Sequence, residues 1–316
     1  MVDAKKTPAA AWLTLSVAVL AVSSAGIVLQ EMSEVPPILR ASWRMQGTAL
    51  VLLPGFLFQL SQSSDFEINR NDALLIIASS MFLAIHFGSW VWSLDNTSLV
   101  HSLLFVNTHP LVVVAIMPFL GEAVRRGHIA GVLLGFGGAT VSLLDLGDGG
   151  QVSLVGDFAA FVGAVTVVGY ILAGRHLRSQ RGMPIFIYAF PVTLAAGVWL
   201  SLATAFFEGS SLSSLEASDS LFGWSEPIWI IWVAYLSLGP GLCGHTGVNT
   251  VLRWISPIVV SIALLMEPVL GAIIGWLWTD EVVIGLPTVV GGLMMMVGAI
   301  TVTLQEKGQN SGESVS

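Results

Sequence analysis

Long apolar runs, most of them about twenty residues and separated by short polar breaks, constrain this chain more than any other feature of its sequence. Crossing the hydrocarbon core of a bilayer takes about 20 apolar residues of helix. Ten such runs can be marked, at 11–30, 36–60, 73–94, 97–120, 129–145, 154–174, 183–207, 227–250, 256–279 and 283–304. Only 10% of the residues are charged, against roughly a quarter in a soluble domain. The expectation is an all-α integral membrane protein with ten transmembrane helices. Lys5 and Lys6 ahead of the first run allow a signal peptide as a rival reading. That run exceeds the roughly 7–15 apolar residues of a signal core, so it is read as a retained helix after a cytoplasmic N-terminus, 1–10. The polar stretch 305–316, QEKGQNSGESVS, is read as a disordered cytoplasmic tail. The single Cys243 excludes an intrachain disulfide.

Basic residues set the orientation. With the N-terminus inside, ten of the 12 Lys and Arg fall in inner breaks: Lys5, Lys6, Arg70, Arg125, Arg126, Arg175, Arg178, Arg181, Arg253 and Lys307. The outer breaks carry acids instead, among them Glu31, Glu34, Asp95, Glu208 and Glu226. Both termini are therefore expected in the cytoplasm. A net charge of −8 argues against nucleic acid as a partner. The other two basic residues, Arg40 and Arg44, lie inside the second run and share a helix face with Trp43 and Gly47. Arg40 is expected to snorkel to outer headgroups. Arg44, about 11 Å along the helix from Pro37, is expected to face a polar cavity.

The chain also repeats itself. NTHPLVVVAIMPFLGE, 107–122, lies over LMEPVLGAIIGWLWTD, 265–280, without a gap, so that His109-Pro110 answers Glu267-Pro268 and the acids Glu122 and Asp280 close the two segments. Five runs in each half, 11–145 and 154–304, is an odd number. The halves must then be inverted with respect to each other, an arrangement typical of transporters. The segments TSLVHSLLFVNTHPLVVVAIMPFLGE and GHTGVNTVLRWISPIVVSIALLMEPVLGAIIGWLWTDE, with Gly156-Asp157 opening the second half, resemble the EamA-type transporters of the drug/metabolite transporter superfamily. Two departures stand out: TDE where that family usually has GE, and the helix-two arginine in SWRMQG. The resemblance implies two five-helix units around a central cavity, with helices five and ten at the periphery. Gly131 and Gly135, with Gly291 and Gly292, suit close packing of those two helices and offer them as a homodimer interface.

Ionisable groups at mid-bilayer are costly and point to function unless paired. His86, Ser89, Trp90 and Ser93 share one helix face, and His245, Thr246, Asn249 and Arg253 another. The half-to-half alignment sets these stripes opposite each other. In the fourth run Asn107 and His109 point about 200° apart on a regular helix, and His109 is placed toward the cavity because it answers Glu267. Pro110 and Pro268 kink their helices and free the carbonyls of Val106 and Leu264. The candidate substrate or ion-binding residues are thus Arg44, His86, Trp90, His109, His245, Asn249 and Glu267. Trp90, Trp92, Tyr170, Tyr188 and Tyr235 either stack on a ligand or anchor the membrane interface.

The chain carries no HExxH, GxSxG or phosphate-binding loop and no cysteine pair spaced for a metal. No cofactor or metal is expected. The function read from these features is secondary active transport of a small organic metabolite, by export or exchange, in contact with membrane lipid. Protons are the coupling ion that His86, His109 and Glu267 would suit. A membrane-embedded enzyme acting on a lipid-linked or amphipathic substrate is the alternative. Glu267 itself is left with three roles: pinning two helices, reading substrate, or carrying a proton.

Overall fold

The computed structural model describes residues 8–62, 67–120, 124–142, 144, 152–212, 214–251, 254–255, 260, 263–278 and 284–313. These residues are overwhelmingly helical, and the one β feature among them is a bridge between Ser211 and Ser220. The first half holds α1 (Ala9–Ser23), α2 (Ala25–Glu31), α3 (Pro37–Gln62), α4 (Arg70–Leu94), α5 (Leu99–Val106), α6 (His109–Ile116) and α7 (Arg126–Ser142). The second holds α8 (Leu154–Arg175), α9 (Ile185–Phe207), α10 (Pro227–Leu236), α11 (Gly247–Val251), α12 (Glu267–Trp278) and α13 (Leu286–Glu313). Six spans among the described residues are long and apolar enough to cross a membrane, from Ala9–Glu31 to Pro227–Val251; two shorter apolar helices are Glu267–Trp278 and Leu286–Val302. Phe58, Leu133, Phe206, Ile231 and Trp276 stand exposed on the outside, which is costly in water and favourable against acyl chains. Helix α13 continues to Glu313, through most of the stretch expected to be a disordered tail. The topology charges Lys5, Lys6 and Arg253 and the helix-end acids Glu122 and Asp280 lie outside the described residues.

Helix pairing maps onto itself when the halves are exchanged. Helix α3 packs on α9 and α7 on α13, each the counterpart of its partner; α4 against α8 is answered by α11 against α1, and α5 against α8 by α12 against α1. An internal two-fold relation between the repeats accounts for all of these at once.

The glycines of α7 and α13 meet inside this arrangement. A Cβ on Gly131 would stand 2.6 Å from the Gly298 carbonyl oxygen, and one on Gly138 would stand 2.5 Å from that of Gly291. The small-residue face assigned to a homodimer is therefore occupied within one chain. The two backbones leave no room for a second subunit there, and Gly292 instead packs on the Leu104 side chain. Gly138→Leu is expected to destabilise the fold by at least about 1–3 kcal/mol, the usual cost of overpacking, read as a lowered melting temperature in detergent.

Buried polar contacts fasten the helix ends. Arg40 is fully buried, donating Nη1 to the Leu29 carbonyl and Nη2 to Asp95. It does not snorkel, because the acid that closes α4 and the last turns of α2 take up its fork. Glu208 accepts from the first amides of α3, Ile38 N at 2.9 Å and Leu39 N at 3.0 Å, where a helix N-terminus favours negative charge. The segment after Glu208 then folds over α3: Trp43 Nε1 donates to the Ser220 carbonyl at 3.1 Å, and Trp224 Nε1 to Gln46 Oε1 at 2.7 Å. Together these tie α2, α3 and α4 and the segment after α9 to one another at one end of the bundle.

A second buried network joins α5, α8 and α13. His101 Nδ1 donates to Asp157 Oδ2 at 3.0 Å, Thr97 Oγ1 to Asp157 Oδ1 at 2.7 Å, and His101 Nε2 meets Thr288 Oγ1 at 2.9 Å. Breaking a buried charged group from its partners is strongly destabilising. Asp157→Ala should accordingly lose about 3 kcal/mol, measured by denaturation of the purified protein.

Candidate functional site

Each proline pair breaks its span rather than bending it. Helix α5 ends at Val106, and α6 starts afresh at His109 with Pro110 in its first turn. In the other half a turn at 265–266 precedes α12, which begins at Glu267 with Pro268 behind it. The missing amide of Pro110 leaves the Val106 carbonyl without its helical donor, and the His109 ring interacts with that carbonyl instead. A third interruption lies in the span of α10 and α11, where Ser237–Thr246 forms a π-helix containing Pro240. Such π segments often mark functional sites. Discontinuous helices at corresponding positions of two repeats are where membrane carriers place their ligands.

Between these breaks lies a cavity of about 940 Å³ counting its mouth, and all seven candidate residues line it: Arg44, His86, Trp90, His109, His245, Asn249 and Glu267. Asn107 lines it too, a correction to the helical-wheel expectation that set Asn107 and His109 on opposite faces. The wheel assumed a continuous helix, and the break at Asn107-Thr108 turns both toward the same space. Tyr170, Val106, Val167, Val248 and Leu264 supply much of the remaining wall.

Arg44 dominates the chemistry. Its side chain is fully buried, and its guanidinium carbon stands 4.3 Å from the centroid of the Phe87 ring and 5.8 Å from that of Trp90. Its Nε and Nη1 have no hydrogen-bond partner, nor does Trp90 Nε1 or His109 Nε2. Glu267 is in electrostatic contact with Arg44, but the two form no ion pair: among the described residues the pairs are Arg40–Asp95, His101–Asp157 and Arg181–Asp72. Glu267 accepts one long hydrogen bond, from Asn107 Nδ2 at 3.4 Å, and is only partly covered.

The α4 stripe and the stripe bearing His245 and Asn249 both border this cavity. His86 Nδ1 donates to the Gly163 carbonyl at 2.9 Å, its ring stacks along Trp90, and the His245 ring stands edge-on to Phe87 with centroids 5.2 Å apart. Asn249 Nδ2 donates to the Tyr170 hydroxyl at 2.9 Å, and the Tyr188 hydroxyl meets Ser79 Oγ at 2.9 Å. The other serines of the α4 stripe serve packing: Ser93 Oγ meets Ser102 Oγ at 2.6 Å, joining α4 to α5. Tyr170, one of the aromatics left between ligand stacking and interface anchoring, lines the cavity, and Phe87, which spacing did not single out, backs the Arg44 side chain. Phe87 follows His86 directly and faces the guanidinium, a pairing that no periodic pattern within one helix reveals.

The sequence model of the EamA-like transporter family matches residues 9–144 and again 154–304. A solved structure titled "Crystal structure of protein" is 20% identical and superposes over 94% of this chain and 98% of its own length, with a TM-score of 0.63. At that identity the likeness is one of fold. No match is found among curated proteins.

Proposed function

The chain belongs to the EamA-like transporter family, and on that premise we propose that it is a secondary active transporter moving a small organic metabolite by alternating access of its two repeats. The observation that carries this reading is the convergence of Arg44, His86 and His109 from one repeat with His245, Asn249 and Glu267 from the other on a single cavity beside paired helix breaks. The end bearing Asp95 and Glu208 is fastened shut by Arg40, the α3 cap and the folded segment above it. Its opening would require those contacts to exchange for others at the opposite end, where Arg181 binds Asp72 through Nε at 3.0 Å and Nη2 at 2.8 Å. The positive-inside count puts the Arg181 end and both termini in the cytoplasm.

Proton coupling would run through His86, His109 and Glu267, three of the titratable groups around the ligand space. The test is counterflow and gradient-driven uptake in proteoliposomes holding a lumenal pH dye. Uptake that follows an imposed pH gradient and moves the lumenal pH supports coupling. Uptake indifferent to the gradient, with a still lumen, leaves transport and removes the proton. The enzymatic alternative finds its nearest support in Thr288, His101 and Asp157, which have the order of a nucleophile, base and acid. Thr288 is only 4% exposed and none of the three lines the cavity, so a substrate there would have no access.

A further inference from the structure

We infer that the ligand of this cavity is a zwitterion: a compact metabolite whose carboxylate is held by Arg44 and Trp90 and whose ammonium is held by Glu267, with an apolar body between or beside them. The inference rests on the transport reading and adds the substrate's charge pattern to it.

The donor side is defined by contrast within one helix. Arg40 and Arg44 are one turn apart on α3 and equally buried. Arg40 has both terminal nitrogens engaged, by Leu29 and Asp95. Arg44 lines the cavity, its buried Nε and Nη1 without a partner, and rests on Phe87 and Trp90. Ring faces soften the cost of a buried cation but satisfy none of its N–H groups. The planar guanidinium suits charge-assisted contact with a carboxylate, and Nε and Nη1 are two of its donors still unpaired. Trp90 Nε1 is a third free donor, and indole nitrogen can only donate.

The other free groups of the lining are acceptors. Glu267 has only the long bond from Asn107. His109 engages the Val106 carbonyl with one ring nitrogen, which must therefore donate, and leaves Nε2 without a partner. In a neutral ring that second nitrogen accepts. The lining thus holds unpaired donors on Arg44 and Trp90 and unpaired acceptors on Glu267 and His109, and a ligand complementary to both sets carries a negative and a positive group.

Charge balance selects the same class. Arg44 and Glu267 are the cation and the carboxylate of the lining, and they sum to zero. A ligand that is only an anion or only a cation would leave one of them unpaired and add net charge in the middle of the membrane, where each charge is costly. A zwitterion pairs both and adds none. Much of the remaining lining is apolar, from Val22, Val106, Val167, Ile171, Val248 and Leu264.

The experiment compares isosteric series on the full-length purified protein. Leucine and phenylalanine are each set against the decarboxylated amine (isopentylamine, phenethylamine) and the deaminated acid (4-methylpentanoate, 3-phenylpropionate). Affinity is read by calorimetry and exchange by counterflow in proteoliposomes. At least one zwitterion should bind roughly tenfold or more tightly than both of its truncated analogues, since each lacks one buried charge contact. Arg44→Gln should reduce the zwitterion to the level of its amine without weakening the amine, and Glu267→Gln should reduce it to the level of its acid. Retained binding of the amine or the acid shows that each variant is folded. If a variant binds nothing, the selectivity of the unaltered protein decides alone. An amine or acid equal to its zwitterion overturns the inference, as does a non-zwitterionic solute that is exchanged and not displaced by either amino acid; in that last case the transport reading stands. Zwitterion-selective binding with no exchange of any solute would instead retain the inference and overturn transport.

Discussion

Arg44→Met is expected to abolish transport while leaving the protein as stable as before, or more stable. Arg44 is buried without a partner for Nε or Nη1, so the ligand-free protein carries the cost of an incompletely compensated charge. Replacing buried charge by an apolar side chain of similar length is often neutral or stabilising. What is lost is the charge-assisted contact with ligand, about 3 kcal/mol when one partner of such a pair is removed, or about a hundredfold in affinity. Arg40→Met, one turn away, should behave oppositely. It strips donors from Leu29 and Asp95, lowers the melting temperature, and reduces transport only as far as folded protein is lost. Melting in detergent beside exchange in proteoliposomes separates the two arginines. A destabilised but transporting Arg44→Met would mean that Arg44 braces the fold and does not bind.

The two arginines also show where the sequence is legible and where it is not. Apolar runs, the His109-Pro110 and Glu267-Pro268 pairs and the spacing of His86 with Trp90 all report on one helix at a time, through hydropathy and periodicity. The structure brings the residues they mark to one cavity. Features that depend on contacts between distant segments were silent. Arg40 finds Asp95 across 55 positions, and His101 finds Thr288 across 187; nothing in either local pattern names the partner. The α7 glycines were legible as a close-packing face, but not that Gly291 and Gly298 of the same chain would fill it. Asn107 was misplaced for a different reason. A wheel projects residues on a continuous helix, and a break shifts everything beyond it by an angle that the sequence does not state.

Glu267→Gln decides among the three roles open to that residue. Glutamine keeps the shape of the side chain, and its carbonyl can still accept from Asn107 Nδ2, now 3.4 Å from the carboxylate. If Glu267 only pinned α12 to the α5–α6 break, the substitution would change neither melting nor transport. The geometry favours a different result. The partner bond is long, the carboxylate is open to the cavity, and Arg44 is left as the sole formal charge of the lining once Glu267 is neutral. Transport should fall by about one to two orders of magnitude, the cost of a lost charged hydrogen bond to ligand at roughly 1.5–3 kcal/mol, while the melting temperature holds. The two charges hold different groups of one ligand, so Arg44→Gln with Glu267→Gln should lose both contacts, fall below either single variant and no longer distinguish the zwitterion from its truncated analogues. If Glu267 instead carried the coupling ion, Glu267→Gln would leave zwitterion binding by calorimetry intact and lose only gradient-driven uptake.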